Sequence, residues 1–221
     1  MATTPTPPSS PDALLLLAPG CAYCPKVLEA LTGLVKDGAI GALEVVNIAE
    51  RPARAAELGV RSVPWIRIGP FVLEGLHSAA ELRQWAELAA RGEGMSEYIA
   101  QQLKDSRLAQ VQRLLEHEPR WADALLPLIE DTETAITVRL GVGALIEDLA
   151  DSDTLAGLTA GLGRLASHRD HRVRSDACHY LGLTGRDAAM AYLRPRLQDE
   201  DAEVREIAAE SLERLGHAEP V

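Results

Sequence analysis

The sequence predicts two domains of different class, an α/β domain followed by an all-α domain of repeated helix pairs. Over residues 13–92, short apolar runs of strand length alternate with stretches of helical periodicity. In the second half, a pattern of Asp, Val-Arg, Ala and Leu recurs at an interval of 31 residues. The formal net charge is −1 over residues 1–92 and −10 over residues 93–221, an asymmetry that also indicates separate domains.

The composition is that of a globular protein, with 47% hydrophobic and 25% charged residues. Three cysteines in 221 residues do not predict a secreted scaffold held together by disulfides. Residues 1–12 are rich in Pro, Thr and Ser and have no basic residue, which predicts a disordered tail and not a signal peptide. Apolar runs are too short to span a bilayer, and the acidic second half argues against nucleic-acid binding. We therefore expect a cytoplasmic protein without membrane or nucleic-acid partners.

The first domain is organised around the segment Cys21-Ala22-Tyr23-Cys24-Pro25. The segment follows a buried strand predicted over Leu14–Ala18 and precedes a helix predicted to run to about Lys36. A thiolate at a helix N-terminus faces unpaired N–H groups and the positive end of the helix dipole, which lowers its pKa. A second thiol three residues further on can close a disulfide, so the motif is typical of redox chemistry. The alternatives are two buried thiols or half of a zinc site, but the chain has no second C-x-x-C motif.

The rest of the first domain continues the alternation of strands and helices. Further strands are predicted over Leu43–Ile48, Trp65–Ile68 and Phe71–Glu74, the last two as an antiparallel hairpin. Short helical periodicity begins at Pro52, and a capping box of Ser78 and Glu81 predicts the last helix, which ends near Arg91. The predicted order is therefore β-α-β-α-β-β-α, with the C-x-x-C motif after the first strand and Val63-Pro64 before the third.

On these motifs, residues 13–91 resemble the thioredoxin/glutaredoxin-like superfamily, in the branch with a proline after the second cysteine. The resemblance implies a thiol–disulfide oxidoreductase acting on protein disulfides, with Cys21 as the nucleophile and Cys24 as the resolving cysteine. It implies that the Val63–Pro64 peptide bond is cis and faces the two sulfurs, and that the Val63 backbone pairs with an extended substrate peptide. Trp65 either lines the substrate groove or packs in the core. We expect no cofactor and no metal ion.

Two features depart from the superfamily pattern. Leu15 occupies the position, six residues before Cys21, where thioredoxins carry a buried acid, so deprotonation of Cys24 would need water or another base. The stretch Gly75-Leu76-His77-Ser78 replaces the Gly-Gly-x-x-Asp turn of the glutaredoxin glutathione site, which argues against such a site. Tyr23 is either a side chain that shapes access to Cys21 or an ordinary helix-start residue.

The second half resembles HEAT repeats of the short bacterial kind. The Asp-x-x-Val-Arg-x-x-Ala-x-x-x-Leu pattern begins at Asp170 and again at Asp201, with a weaker copy around Val138-Arg139. It predicts three helix pairs, at about 121–149, 153–183 and 187–216, after a linker and capping helices within 93–119. The resemblance implies that Arg139, Arg174 and Arg205 link neighbouring repeats, and that the solenoid docks a protein partner. Apolar positions at helical spacing are predicted to form the core.

Several side chains of the repeats allow more than one interpretation. Cys178 lies beside Ala177 in a repeat helix and is predicted to be a small buried side chain. His168, His171 and His179 lie near it, but they span a helix junction and do not share a face, so no metal site is predicted. The leading function is a thiol–disulfide oxidoreductase whose solenoid docks a partner. The alternative is a non-catalytic protein-binding or redox-sensing scaffold.

Overall fold

The computed structural model describes residues 10–216, which form two compact units divided between Gly94 and Met95. Most of the tail predicted over residues 1–12 lies outside the described residues. Among the helices of residues 10–216, none combines the length and the apolar content needed to cross a membrane.

The first unit is a four-stranded mixed sheet with three helices, in the predicted order β-α-β-α-β-β-α. The strands are β1 (Ala13–Leu17), β2 (Leu43–Asn47), β3 (Trp65–Ile68) and β4 (Phe71–Glu74). They lie in the order β2-β1-β3-β4, with β1 parallel to β2 and β3 antiparallel to both of its neighbours. A parallel pair cannot be joined by a tight turn, and α1 (Cys24–Lys36) makes the crossover. The helices α2 (Pro52–Glu57) and α3 (Ala79–Arg91) complete the unit.

The strand β1 lies inside the sheet and has almost no exposed surface. Leu15 and Leu16 are fully buried, as expected for a strand whose neighbours and helices cover it on all sides. Leu16 packs in a cluster with Leu14, Val46 and Trp65. The helix α1 buries a stripe with helical spacing, formed by Val27, Leu31 and Leu34.

The helix α3 begins with the predicted capping box. The Ser78 hydroxyl accepts a hydrogen bond from the Glu81 N–H, and the Glu81 carboxylate accepts one from the Ser78 N–H at 2.7 Å. The Glu81 carboxylate accepts hydrogen bonds from both the Ser78 N–H and the Ser78 hydroxyl, and these hold the pKa of Glu81 below its ordinary value. The helix ends at Gly92, whose φ of +68° is a left-handed conformation that glycine adopts without steric cost.

The second unit is entirely helical. Two helices, α4 (Met95–Lys104) and α5 (Leu108–His117), precede three helix pairs. The second helices of the pairs are α7 (Ile136–Asp148), α10 (His171–Gly182) and α12 (Ala202–Gly216). The helical architecture predicted from the repeats is confirmed.

The first helix of each pair is interrupted, a feature that the sequence did not predict. The first pair has a 3₁₀ helix (Pro119–Leu125) and then α6 (Leu126–Glu130). The second has α8 (Asp153–Gly157) and α9 (Thr159–Leu165), and the third has two 3₁₀ segments (Asp187–Ala189 and Arg194–Gln198) around α11 (Met190–Leu193). Pro127 and Pro195 lie at the starts of segments in the first and third pairs, because proline has no N–H and fits only the first turn of a helix.

The three predicted repeat arginines make two kinds of contact. Arg174 is buried and joins Asp199 of the next pair through two hydrogen bonds, of 3.0 and 2.7 Å. Arg139 likewise pairs with Asp176 of the next helix pair. Arg205 instead donates to the carbonyl oxygens of Asp199 and Glu200, in the loop before its own helix. Arg139 and Arg174 therefore link neighbouring repeats, whereas Arg205 stabilises a loop.

The prediction that apolar positions at helical spacing are core is wrong for two residues of α7. Ile136 and Leu140 are 68% and 67% exposed, although they are four residues apart. The buried face of α7 is formed by Val138, Val142, Leu145 and Ile146. Because α7 is apolar on two faces, spacing alone could not identify the face that the fold covers.

Candidate active site

The two cysteines of the C-x-x-C motif lie at the junction of β1 and α1 and form a disulfide. The Cys21–Cys24 bond has an S–S distance of 2.16 Å and a Cα–Cα distance of 5.5 Å. The strand β1 ends at Leu17 and α1 begins at Cys24, the position predicted for its start. Pro25 is the second residue of the helix, where the lack of an N–H removes no intrahelical hydrogen bond.

The two sulfurs differ in exposure and surroundings. Cys24 is 4% exposed, whereas Cys21 is only partly buried. The Cys24 N–H lies 3.2 Å from Cys21 Sγ and points to it from the first turn of α1. After reduction, this N–H and the positive end of the helix dipole would stabilise a thiolate on Cys21. Cys21 is therefore the sulfur that an outside molecule can reach.

The Val63–Pro64 peptide lies beside the exposed sulfur. Its bond is cis, as predicted, and the Val63 carbonyl oxygen is 3.7 Å from Cys21 Sγ. Within residues 10–216, the Val63 N–H has no hydrogen-bond partner. The Gly75 N–H donates to the Pro64 carbonyl oxygen at 2.9 Å, which holds the turn after β4 next to Pro64. The structure thus brings Cys21, Val63 and Pro64 together, as the sequence predicted.

The comparison with family models agrees with this geometry. Residues 13–87 match the model of a thioredoxin domain. The first unit is a thioredoxin-like domain. Residues 159–221 match the model of HEAT repeats, so the thioredoxin domain is fused to a HEAT-like helical region. No curated protein matches the chain.

Two further predicted site residues of the thioredoxin domain have different surroundings. Tyr23, the residue before α1, is 55% exposed within the C-x-x-C motif and can reach a bound molecule. Trp65 is 4% exposed and belongs to the core cluster with Leu14 and Val46. Its burial favours core packing over a place in the substrate groove.

Sequence reasoning gave no binding role to the turn after β4. Leu76 is 49% exposed and directly follows Gly75, whose N–H is bonded to Pro64. The exposed Leu76 side chain therefore lies one residue from the backbone that is bonded to Pro64. The predicted β3–β4 hairpin is the sequence signal that could have identified this position. Because Trp65 pairs with Glu74, the residues just after Glu74 lie beside Pro64.

The thioredoxin domain provides no buried acid for the resolving cysteine. Among the described residues, every buried polar or charged side chain lies in the helical unit. Leu15, at the position of the thioredoxin acid, is fully buried and apolar. Lys26 is exposed on the first turn of α1. Deprotonation of Cys24 would therefore need water or another base that is not a buried carboxyl group.

The helical unit contains a third cysteine with a different character. Cys178 is fully buried, and this burial raises the pKa of its thiol to about 11. The thiol is therefore protonated and unreactive at neutral pH.

The described residues do not bring His168, His179 and Cys178 together as metal ligands. One set of three possible ligands, all within 4.8 Å of one another, consists of His171, Asp201 and Glu203. Asp201 in this set already accepts hydrogen bonds from the Glu203 and Val204 N–H groups as the cap of α12.

Proposed function

We propose that the protein is a thiol–disulfide oxidoreductase in which Cys21 is the nucleophile and Cys24 is the resolving cysteine. The observation that carries the proposal is the asymmetric sulfur pair. Cys21 is accessible, and its Sγ accepts a hydrogen bond from the Cys24 N–H at 3.2 Å. Cys24 itself is buried. A nucleophile needs access and a stabilised thiolate, whereas a resolving thiol needs only to reach its neighbour.

The reaction needs only the two sulfurs and a substrate disulfide. The Cys21 thiolate attacks one substrate sulfur, the substrate S–S bond breaks, and its other sulfur leaves as a thiolate. Cys24 then loses its proton and attacks Cys21 Sγ, which releases the second substrate thiolate and forms the Cys21–Cys24 disulfide. Two electrons pass from the dithiol to the substrate, and an external dithiol must restore the reduced pair.

Substrate binding is proposed at the rim of the sulfur pair. The free Val63 N–H and the Val63 carbonyl oxygen can pair with an extended peptide, as an added strand would. Tyr23 and Leu76 are exposed apolar side chains near this backbone, so they would contact residues beside the substrate cysteine. Trp65 is left out of this proposal because it is buried.

The HEAT-like region is proposed to dock a protein partner and so to restrict the range of substrates. Stacked helix pairs form an extended surface that suits binding to another macromolecule. Because the two domains have separate cores, docking and thiol chemistry can be measured independently.

The experiment is the reduction of insulin by dithiothreitol, followed by turbidity, with the full chain as catalyst. Wild type should accelerate precipitation, and Cys21→Ser should be inactive. Cys178→Ser should behave as wild type, because Cys178 is fully buried in the helical unit and takes no part in the proposed reaction. A wild-type chain that gives no acceleration over dithiothreitol alone would favour the non-catalytic scaffold. Equal activity of wild type and Cys21→Ser would refute the assignment of the nucleophile.

A further inference from the structure

The repeats provide an internal comparison of two equivalent helix faces. On α10, the face containing Ser175, Cys178 and Gly182 is buried. It lies so close to α12 that a Cβ at Gly182 would be 2.7 Å from Ser211. In this repeat, the face is covered by the helix of the next repeat.

The equivalent face of α7 is exposed at Ile136 and Leu140, and only its later part, at Gly143, is half-buried. The register that aligns Val138-Arg139 with Val173-Arg174 places Leu140 at the position of Ser175 and Gly143 at that of Cys178. Ser175 is 5% exposed and Cys178 is fully buried, whereas Leu140 is 67% exposed. Leu140 and Ile136 lie one turn apart and are both exposed, so they form an apolar patch, which is more informative than a single exposed leucine.

We name this surface the α7 stripe, formed by Ile136, Leu140, Gly143 and Glu147. These residues follow the spacing i, i+4, i+7 and i+11, so they lie on one side of the helix. Ile136 and Leu140 are the most exposed large apolar side chains among residues 10–216. Gly143 is half-buried, and a Cβ at this position would be 3.4 Å from the Tyr180 hydroxyl of α10, so the open part of the stripe is its start at Ile136 and Leu140.

Both ends of the α7 stripe are acidic. Glu133 precedes it and Glu147 ends it, and both are exposed. Neither carboxylate forms an ion pair with a described residue. Two cations lie nearby, and each has a closer carboxylate partner. Arg139 pairs with Asp176, and Arg172 makes two hydrogen bonds to Asp170 while it also attracts Glu133. The stripe therefore has an apolar centre and negative ends.

This charge pattern decides between the possible occupants. A second copy of the chain would place its own acidic ends against Glu133 and Glu147, and like charges in contact repel. Residues 1–9 and 217–221 of the same chain contain no lysine or arginine that could complement the ends. The complement is a surface with an apolar centre and cationic ends.

We propose that the α7 stripe binds an amphipathic helix of another protein, with two apolar side chains flanked by lysine or arginine. Ile136 and Glu147 are 11 residues apart, about 16 Å along the helix axis, and Glu133 lies just before the stripe, so the two cations should be at least about three turns apart. Such a helix would cover α7 as α12 covers α10. The inference deepens the proposed docking role of the HEAT-like region and does not depend on the thiol chemistry.

The test uses two fluorescein-labelled helical peptides of 16 residues and the full-length chain. The first peptide has Lys at positions 3 and 14 and Leu at positions 7 and 10, in a background of Ala and Gln. The second is identical except that both lysines are Glu. Fluorescence anisotropy should show binding of the Lys peptide, and the Glu peptide should bind at least about tenfold more weakly.

Variants connect the binding to the stripe. The double variant Ile136→Ser/Leu140→Ser should weaken binding of the Lys peptide by about tenfold or more, because two apolar contacts are lost. Leu197→Ser, at another exposed apolar residue of the same unit, should leave it unchanged. Glu147→Lys should weaken the Lys peptide and strengthen the Glu peptide. Far-ultraviolet circular dichroism establishes that each variant is folded.

Three outcomes of the peptide measurements would overturn the proposal. They are the absence of Lys-peptide binding to wild type, equal binding of both peptides, and equal binding by wild type and the double variant. Self-association in sedimentation velocity that the double variant abolishes would also overturn it, since a second copy would then be the occupant. Insulin reduction, measured on the same samples, reports separately on the thiol chemistry.

Discussion

Replacing Arg174 by Leu should destabilise the helical unit by about 3 kcal/mol. The side chains of Arg174 and Asp199 are 6% and 3% exposed, so the change leaves a buried carboxylate without its main cation. Loss of one partner from a buried ion pair costs about 3–5 kcal/mol. Asp199 keeps contacts with Arg196 and the Asp201 N–H, which places the cost at the lower end of this range.

The neighbouring Arg172 provides the matched control. It lies on the same helix and pairs with Asp170, but its side chain is 55% exposed, so Arg172→Leu should change stability little. Urea unfolding followed by circular dichroism at 222 nm measures both variants, because most of the helical signal comes from the second unit. An Arg174→Leu variant as stable as Arg172→Leu would refute the argument that the buried pair holds the repeats together.

The same pair predicts a dependence on pH. Burial is the largest single influence and raises the pKa of Asp199. The hydrogen bonds from Arg174 and the Asp201 N–H, together with the charges of Arg174 and Arg196, outweigh it and hold the pKa below the ordinary value. A lowered pKa in the folded state stabilises the fold above the unfolded-state pKa, and this stability is lost as the pH falls through the folded-state value. Arg174→Leu should therefore lose less stability than wild type when the pH is lowered below about 4.

Three further predictions concern reactivity, independence and capping. After reduction, limiting iodoacetamide at pH 7 should label Cys21 before Cys24. Cys178 should be labelled only as the pH approaches its pKa of about 11. If mass spectrometry finds Cys178 labelled first, the assignment of Cys21 as the reactive thiol is wrong. A fragment ending at Gly94 should fold and remain redox-active, because its apolar core is its own; a molten near-ultraviolet dichroism spectrum would show that it needs the second unit. Ser78→Ala should lower the unfolding free energy of this fragment by about 1 kcal/mol in urea, and an unchanged midpoint would mean that the capping box is not stabilising.

Much of the first unit could be predicted because several local signals agree. The strand before Cys21, the helical spacing after Cys24 and the capping box at Ser78 each point to the same order of elements. The position of Val63 beside Cys21 was implied by the family resemblance, and the pairing of β3 with β1 produces it. In the first unit, local sequence patterns are therefore sufficient to predict the order of the strands and helices.

The burial of individual side chains was harder to predict. It depends on which surface of a helix or strand is covered by another element, and local sequence patterns do not show this. Trp65 could belong to the groove or the core, and only its packing against Leu14 and Val46 favours the core. Ile136 and Leu140 have the spacing of core residues, but the core lies on another face of α7. The interruptions of the first helix in each pair also could not be predicted from the prolines alone. The break between α8 and α9 contains no proline, so packing must contribute to it.

The most direct test of the central claim is the capture of a mixed disulfide. Reduced Cys24→Ala protein is incubated with oxidised insulin, quenched with acid and examined by peptide mass spectrometry, with Cys21→Ala/Cys24→Ala as the control. The account predicts a one-to-one adduct through Cys21 that the double variant does not form, because the attack needs Cys21 and the release needs Cys24. An adduct through Cys178, or no adduct when the protein is reduced and folded, would contradict it.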